Sequence, residues 1–364
     1  MKIGIDARLY GTKYQGLGRY VKKLVDGLAE SDQENSYTVF LTPDNFDDFK
    51  TANLKFKKVL LPARWYSFKE QWLAPKIINK ERLDLMHFPH FNAPYFYAGR
   101  FIITLHDLII NHFPDSRATT LPKWLYQFKL WAYRISLKRT VNKAEKIIVP
   151  SQFVKDDVVK HYPAAAAKVK VIYEGYFLDE DQQAVNIDRF KITKPFLLYV
   201  GSAYPHKNLR KLIAVFKQLN RQKNYQLVLV GRHDYFYRRL QQEAGDDPDI
   251  IFTGYLADSE LAALYGQARL YVFPSSYEGF GLPPLEAQAH GLPVASANSS
   301  CLPEVLGQAA IYFDPKNETE MLAAIKKVLN DEKLRSQLSL LGQKNIARFS
   351  WETMVKQTQA LYLS

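Results

Sequence analysis

Residues 271–303 read YVFPSSYEGFGLPPLEAQAHGLPVASANSSCLP, and their pattern is the most informative in the sequence. The apolar run over residues 270–274 predicts a buried strand, and Gly279-Phe280-Gly281 predicts a loop. The two prolines that follow suit the first turn of a helix, which we predict over residues 285–290 with Gly291 to end it. A glycine-rich loop before a helix presents backbone N–H groups and a positive dipole end. The pattern therefore predicts a site for a phosphate or a diphosphate.

Two glutamates flank this loop, eight positions apart: Glu278 before it and Glu286 inside the predicted helix. A carboxylate one turn into the helix can hold the two neighbouring hydroxyls of a ribose, as in other nucleotide-binding folds. Acidic residues are mostly exposed, so a pair of solvated surface acids is the simple alternative. The strand, the glycine loop and the double proline around them favour a ligand-binding role.

In the context EGFGLPPLEAQAHGLPV, the Glu-x7-Glu pattern resembles the donor-binding signature of the family 4 (group 1) glycosyltransferases. These are retaining enzymes of the GT-B fold that use nucleotide sugars. The resemblance implies an α/β architecture with two Rossmann-like domains facing a central cleft, and a C-terminal helix that crosses back to the first domain. We expect an acceptor-binding domain over residues 1–175, a nucleotide-sugar-binding domain over 176–348 and the returning helix over 349–364.

Length and composition agree with two soluble domains. The chain has 364 residues, which is long for a single core. Cys301 is the one cysteine, so no internal disulfide forms, as is usual in a reducing compartment. The N-terminus lacks the apolar segment of a signal peptide, and no run approaches the roughly 18 apolar residues of a membrane span. We expect a cytoplasmic protein that is either free in the cytoplasm or peripheral on the inner membrane face.

The formal net charge of +12 lies wholly in residues 1–172, whereas residues 173–364 are balanced. Such a one-sided charge suggests an anionic partner: nucleic acid, lipid headgroups or a phosphorylated acceptor. Residues 55–80 and 123–146 also mix basic with aromatic side chains, which suits a membrane interface, nucleic-acid stacking or a core-facing helix with a basic outer face. The family resemblance favours an anionic membrane surface and no nucleic acid, because many members meet a lipid-linked acceptor there.

Two further sites in the first half match the family. Gly16 and Gly18 follow the first predicted strand and, by resemblance, form a glycine loop that approaches the donor diphosphate. His106 directly follows the predicted strand over residues 101–105, where doubly wound folds place ligands. The resemblance makes it a catalytic histidine that contacts the transferred sugar, against the alternative of a structural histidine. Where the family usually has Asn-Gly at the interdomain hinge, this chain has Glu174-Gly175.

The second half supplies the remaining donor contacts. Lys207 precedes an apolar-periodic helix and can donate to phosphate as a point charge. Family members often carry an arginine where this chain has Ser202, so we predict that Arg232 supplies the missing charge. The resemblance also places Tyr255 and Leu256 beside the nucleotide base.

The resemblance implies transfer of a sugar from a UDP- or GDP-sugar to a glycan or lipid-linked acceptor, in cell-surface polysaccharide biosynthesis. We predict no metal and no cofactor beyond the nucleotide sugar, since preorganised positive groups can stabilise the leaving diphosphate. His106 and Glu278 are the predicted catalytic residues. The predicted donor-binding residues are Gly16, Gly18, Lys207, Arg232, Tyr255, Leu256, Gly279, Phe280, Gly281, Leu282 and Glu286. The alternatives are a GT-B hydrolase or epimerase of nucleotide sugars and, less well supported, a nucleic-acid-binding protein.

Overall fold

The computed structural model describes residues 1–12, 15–114, 121–176 and 187–364. These residues form two compact units, the first made of residues 1–175 and 350–364 and the second of residues 176–349. Each unit contains one sheet whose strands pair in parallel, and helices lie in most of the connections between successive strands. The predicted α/β architecture with two Rossmann-like domains is confirmed.

The first unit has a seven-stranded sheet of order β3-β2-β1-β4-β5-β6-β7. Its strands are β1 (Lys2–Asp6), β2 (Ser36–Leu41), β3 (Phe56–Leu60), β4 (Leu85–Phe88), β5 (Phe101–Thr104), β6 (Ile147–Val149) and β7 (Val169–Val171). Its helices are α1 (Gln15–Ser31), α2 (Phe68–Lys80), α3 (Ile109–His112), α4 (Lys123–Lys143), α5 (Gln152–His161) and, after the second unit, α13 (Trp351–Leu363).

The second unit has a six-stranded sheet of order β10-β9-β8-β11-β12-β13. Its strands are β8 (Phe196–Val200), β9 (Gln226–Val230), β10 (Ile250–Gly254), β11 (Leu270–Phe273), β12 (Val294–Ala297) and β13 (Ile311–Phe313). Its helices are α6 (Leu209–Leu219), α7 (Tyr235–Ala244), α8 (Asp258–Gln267), α9 (Leu282–Ala289), α10 (Leu302–Leu306), α11 (Glu318–Asn330) and α12 (Glu332–Ile346).

The strand orders fix where a ligand can bind. In the second sheet the order of the chain reverses between β8 and β11, and in the first sheet it reverses between β1 and β4. Connections leave in opposite directions at such a switch point, and a crevice opens beyond the carboxyl ends of the two strands. The loop that follows β8 leads to Lys207, and the loop that follows β11 carries the predicted glycine-rich segment. Sheet topology therefore brings these two segments to one edge.

The C-terminal helix α13 packs on α1 within the first unit. Gly27 lies at the contact, where a Cβ would come within 2.6 Å of a methyl carbon of Val355. Glycine at this position permits the two helices to approach closely. Ser350 caps α13 by accepting a hydrogen bond from the Thr353 N–H at 3.3 Å.

Three features differ from the sequence prediction. Helix α1 begins at Gln15, so Gly16 and Gly18 lie in its first turn and not in a preceding loop. Strand β12 and helix α7 were not predicted from the sequence, because β12 is a short run of small residues and α7 is rich in arginine and glutamine. In the part of the chain that the structure describes, no helix combines the length and the apolar character that crossing a bilayer requires.

A buried histidine makes the first unit sensitive to acid. His87 is fully buried, with Nδ1 2.7 Å from Tyr362 Oη and Nε2 2.9 Å from Thr104 Oγ1. Burial, aided by the positive field of His106, lowers the pKa of His87 from 6.5 to about 3. Between these values the unfolded chain binds the proton and the folded chain does not. The contribution of neutral His87 to the free energy of unfolding is therefore fully present above pH 6.5. It falls as the pH drops toward 3, by up to about 1.4 kcal/mol per pH unit.

We expect His87→Gln to remove this contribution to the pH dependence, because a glutamine side chain does not titrate. Urea unfolding of wild type and variant at several pH values between 7 and 5 measures the difference in slope. Equal slopes for the two proteins would contradict the assignment of the proton to His87.

Candidate active site

An ion pair joins the two loops at the switch point of the second sheet. Lys207 Nζ lies 2.6 Å from Glu278 Oε1 and 2.8 Å from Oε2, and the Ser275 hydroxyl donates to the same carboxylate. The Ser276 N–H donates to the carbonyl of His206 at 2.8 Å, which ties the loops together through the backbone. Burial and the neighbouring Lys207 lower the pKa of His206 to about 4, so at neutral pH its ring adds no positive charge.

This pairing connects two residues that the sequence placed in separate roles, Lys207 on phosphate and Glu278 on sugar hydroxyls. Glu278 is 8% exposed, so its charge is held largely away from water. Each partner orients the other through these charge-assisted hydrogen bonds. A diphosphate that approached Lys207 would share the lysine with this carboxylate.

The glycine-rich loop leads directly into α9. Gly281 caps the helix with a φ of 95°, a left-handed conformation that favours glycine, and a Cβ there would come within 3.0 Å of Leu302. The helix begins at Leu282, three residues earlier than predicted, with proline in its first turn. Gly291 has a φ of 69° just beyond the helix, which confirms the predicted stop. N–H groups of the first helical turn have no intrahelical acceptor and suit an anion.

Glu286 lies in the second turn of α9 and is 5% exposed. The Tyr265 hydroxyl donates to its Oε2 at 3.0 Å. The ring of His290 stacks on Tyr265 at 5.1 Å, and its Nδ1 donates to the Glu286 carbonyl at 2.8 Å. Tyr265 thus fixes the position of this carboxylate, a function that the sequence analysis missed.

The segment predicted to lie beside the nucleotide base follows β10. Gly254 has a φ of 81°, and a Cβ there would come within 3.0 Å of the His233 ring. Tyr255 is half exposed and Leu256 is buried. The Arg232 guanidinium lies 5.5 Å from the centre of the Tyr255 ring, a cation–π contact. Arg232 therefore meets the predicted base-binding segment, and its predicted contact with phosphate stays a prediction.

In the first unit, His106 is held on three sides. Its Nδ1 lies 3.0 Å from Glu174 Oε1, its Nε2 lies 3.2 Å from the Pro89 carbonyl, and its ring meets Tyr20 edge-on at 4.6 Å. The Glu174 side chain is only 6% exposed. Acceptors at both nitrogens fix the ring plane, and the carboxylate favours a proton on Nδ1.

The role of Glu174 was not predicted, because its position was recognised only as a departure from the Asn-Gly of the family. A histidine at a strand end and a buried acid 68 positions later carry no local signal of their contact. Gly16 and Gly18 lie in the first turn of α1, and Gly18 is buried.

The predicted basic and aromatic stretches expose several of their large side chains. On α4, residues at helical spacing are more than half exposed: Trp124, Phe128 and Trp131. On α2, Phe68 and Trp72 are 87% and 68% exposed. Contact with a membrane stays a prediction.

Comparison with known proteins accounts for both halves of the chain. Residues 14–180 match the family described as Glycosyltransferase Family 4, and residues 181–344 match the family described as Glycosyl transferases group 1. The chain is 27% identical over 374 residues to the O-antigen chain mannosyltransferase B of Escherichia coli, covering 95% of each protein.

Two other similarities are informative. The chain is 31% identical over 303 residues to the O-antigen chain mannosyltransferase RfbU of Salmonella typhimurium, covering 81% of this chain and 78% of that protein. Its fold matches sucrose-phosphate synthase from Thermosynechococcus elongatus with a TM-score of 0.78 at 20% identity, covering 100% and 98% of the two chains.

Proposed function

Because the chain belongs to the group 1, family 4 glycosyltransferases, we propose that it transfers a mannosyl group from a nucleoside diphosphate mannose to an acceptor hydroxyl. The anomeric configuration is retained, no metal ion takes part, and the acceptor is a growing O-antigen-type polysaccharide. Mannose and the O-antigen setting come from the names of the two relatives, O-antigen chain mannosyltransferases of Escherichia coli and Salmonella typhimurium.

The observation that carries this proposal is the partly buried ion pair of Lys207 and Glu278 at the switch point, beside the glycine loop that opens α9. The diphosphate, the sugar and the ribose of a nucleotide sugar each find a suitable group here. A lysine and a helix N-terminus suit the diphosphate, and two carboxylates suit the hydroxyls of the sugar and the ribose. In this arrangement Lys207 and the first-turn amides take the diphosphate, Glu278 takes sugar hydroxyls, and Glu286 takes the ribose.

The chemical difficulty in the reaction is charge separation. As the glycosidic bond breaks, the diphosphate gains negative charge and the anomeric carbon gains positive charge. The amides of Gly279–Leu282 stabilise the leaving diphosphate without having to reorganise, and Lys207 adds a positive charge when it turns from Glu278. When Lys207 turns to the diphosphate, it neutralises Glu278 less. The negative charge of Glu278 then favours the cationic sugar.

His106 positions the transferred sugar in this proposal. Glu174 orients its ring through Nδ1, so Nε2 is presented to a substrate hydroxyl in place of its 3.2 Å contact with the Pro89 carbonyl. The leaving phosphate takes the proton of the acceptor hydroxyl. Acceptor attack on the same face as departure gives retention and needs no covalent nucleophile.

The basic first half is proposed to face an anionic membrane that carries a lipid-linked acceptor. Exposed aromatic side chains on α4, at helical spacing among lysines and arginines, support this. Cosedimentation with anionic and with neutral vesicles measures it, and equal binding to both would contradict the electrostatic part.

The test of the donor assignment is a thermal-shift series with GDP-mannose, UDP-glucose, ADP-glucose and dTDP-glucose, with EDTA present. A ligand that binds only the folded state raises its melting temperature. We expect GDP-mannose, the mannosyl nucleotide of the series, to raise the melting temperature of wild type. Glu286→Ala should abolish this shift, because the ribose loses its carboxylate partner. NMR of the product anomeric proton then reports retention or inversion.

The matched control is Glu332→Ala, which removes an exposed glutamate from the start of another helix of the second unit. It should keep the full shift. A shift unchanged in Glu286→Ala would contradict the assigned ribose contact, and dependence on added Mg²⁺ or Mn²⁺ would contradict metal independence. Free mannose as the sole product when candidate acceptors are supplied would favour a hydrolase.

A further inference from the structure

Three potential metal ligands meet on the first unit, in a cluster that the transfer reaction does not use: His112, Asp157 and His161. His112 is the last residue of α3, and the other two are one turn apart on α5. One ligand atom of each residue lies within 4.8 Å of the other two. The cluster therefore joins two segments that are distant in sequence.

The three side chains are already in direct contact with one another. His112 Nε2 lies 2.7 Å and 3.0 Å from the two carboxylate oxygens of Asp157, and His161 Nδ1 lies 3.2 Å from Asp157 Oδ1. The two imidazole rings are 5.4 Å apart and nearly perpendicular. Zn–N and Zn–O bonds of 2.0–2.1 Å at tetrahedral angles place ligand atoms about 3.3 Å apart. His112 Nε2 and the Asp157 carboxylate approach this spacing, and the His161 ring has to turn to bring its Nε2 to the ion.

The surroundings permit that adjustment. Asp157 is 7% exposed, whereas both histidine side chains are 34% exposed and can turn. His161 Nδ1 also lies 2.9 Å from the Asp157 carbonyl. A ring N–H that donates to a backbone carbonyl leaves the opposite nitrogen with its lone pair, the usual arrangement behind a metal-bound histidine. His161 can therefore present Nε2 to an ion.

The chemistry of the donors selects the ion. Two imidazoles and one carboxylate suit Zn²⁺ and similar transition ions, whereas Mg²⁺ and Ca²⁺ prefer oxygen ligands. We propose that His112, Asp157 and His161 bind a Zn²⁺-class divalent cation that links α3 to α5, with water completing the coordination. Helix α3 begins three residues after His106, so the ion would brace the segment that follows the catalytic strand end.

The test is metal binding by the purified chain with any affinity tag removed. Calorimetric titration with Zn²⁺ should show one site per chain, and Co²⁺ should give the visible absorption of a low-coordinate complex. His112→Ala, His161→Ala and Asp157→Asn should each weaken Zn²⁺ binding at least about tenfold. Zn²⁺ should raise the melting temperature of wild type and not of these variants. Binding should weaken at acid pH because imidazole ligands must be neutral.

The matched control is Asp156→Asn, which changes the adjacent carboxylate on α5, an exposed group that accepts from Gln152. It should leave Zn²⁺ binding unchanged. The two histidines are exposed, so their variants keep the test valid if Asp157→Asn fails to fold. Absence of stoichiometric Zn²⁺ binding by wild type, or equal affinity in all variants, would overturn the proposal. Neither result bears on the proposed donor contacts of Lys207, Glu278 and Glu286, which belong to the second unit.

Discussion

Lys207→Met should lower kcat about 10²–10³-fold, the usual cost of removing one preorganised group that stabilises developing negative charge. Lys207 is the cation that contacts the buried Glu278, and in the proposed reaction it faces the leaving diphosphate. Methionine keeps the length of the side chain and removes only the charge and its hydrogen bonds. Steady-state kinetics with the donor identified by thermal shift measures the effect.

The same change leaves Glu278 unpaired, so a loss of stability has to be separated from a loss of function. Lys207→Met combined with Glu278→Gln removes both charges, which should restore the melting temperature without restoring kcat. Lys211→Met is the matched control, because this lysine lies one turn further on and donates to the carbonyls of Pro315 and Lys316. It should keep near-normal kcat.

A double variant that regained both stability and turnover would show that Lys207 only neutralises Glu278. The proposal that this lysine binds the diphosphate would then be wrong. A rise in KM alone, with kcat unchanged, would mean that Lys207 binds the ground state and the transition state equally.

Arg8→Met should lower the free energy of unfolding by about 3–5 kcal/mol, since it removes one member of a buried charged network and leaves the others uncompensated. The Arg8 guanidinium is fully buried and donates to Asp6 at 2.6 and 2.7 Å, to Glu70 at 2.7 Å and to the Ala63 carbonyl at 2.9 Å. It also lies 5.1 Å from the Trp65 ring centre.

Glu70 shows why the cost is large. It is fully buried, and its Oε1 also accepts from the Asn92 amide at 2.9 Å. Burial raises the pKa of Glu70 even though Arg8 acts in the opposite direction. Without the guanidinium this carboxylate would have to take up a proton or remain as an unpaired charge.

Urea unfolding at pH 7 measures the effect, with Arg100→Met as the matched control. Arg100 makes the same paired contact with Glu145, at 2.7 and 3.0 Å, but its side chain is 64% exposed. Water screens an exposed ion pair, so its loss should change stability little. Equal losses in the two variants would contradict the dependence on burial.

Local patterns determined much of this protein. Hydrophobic runs, the positions of the glycines and the double proline predicted β11, the glycine loop, and the helix α9 with its stop at Gly291. The structure contains each of these elements. These features depend on residues within one or two turns of each other, so a sequence carries them directly. The two-domain α/β architecture follows from the same alternation of strands and helices.

The start of α1 was predicted wrongly because two glycines lie in its first turn. Gly16 and Gly18 suggested a loop, yet packing of α1 against the sheet and α13 holds both in its first turn. Tertiary contacts outweigh the weak helix propensity of glycine, about 1 kcal/mol per residue.

Contacts between side chains that are distant in sequence come from the tertiary fold. Lys207 and Glu278 are 71 positions apart, His106 and Glu174 are 68 apart, and His112 and Asp157 are 45 apart. No local pattern encodes these pairs, because parallel strand order brings separate loops to one edge of a sheet. The sequence alone determined the elements and the kinds of chemical group available. The fold determined which groups meet and how deeply each is buried.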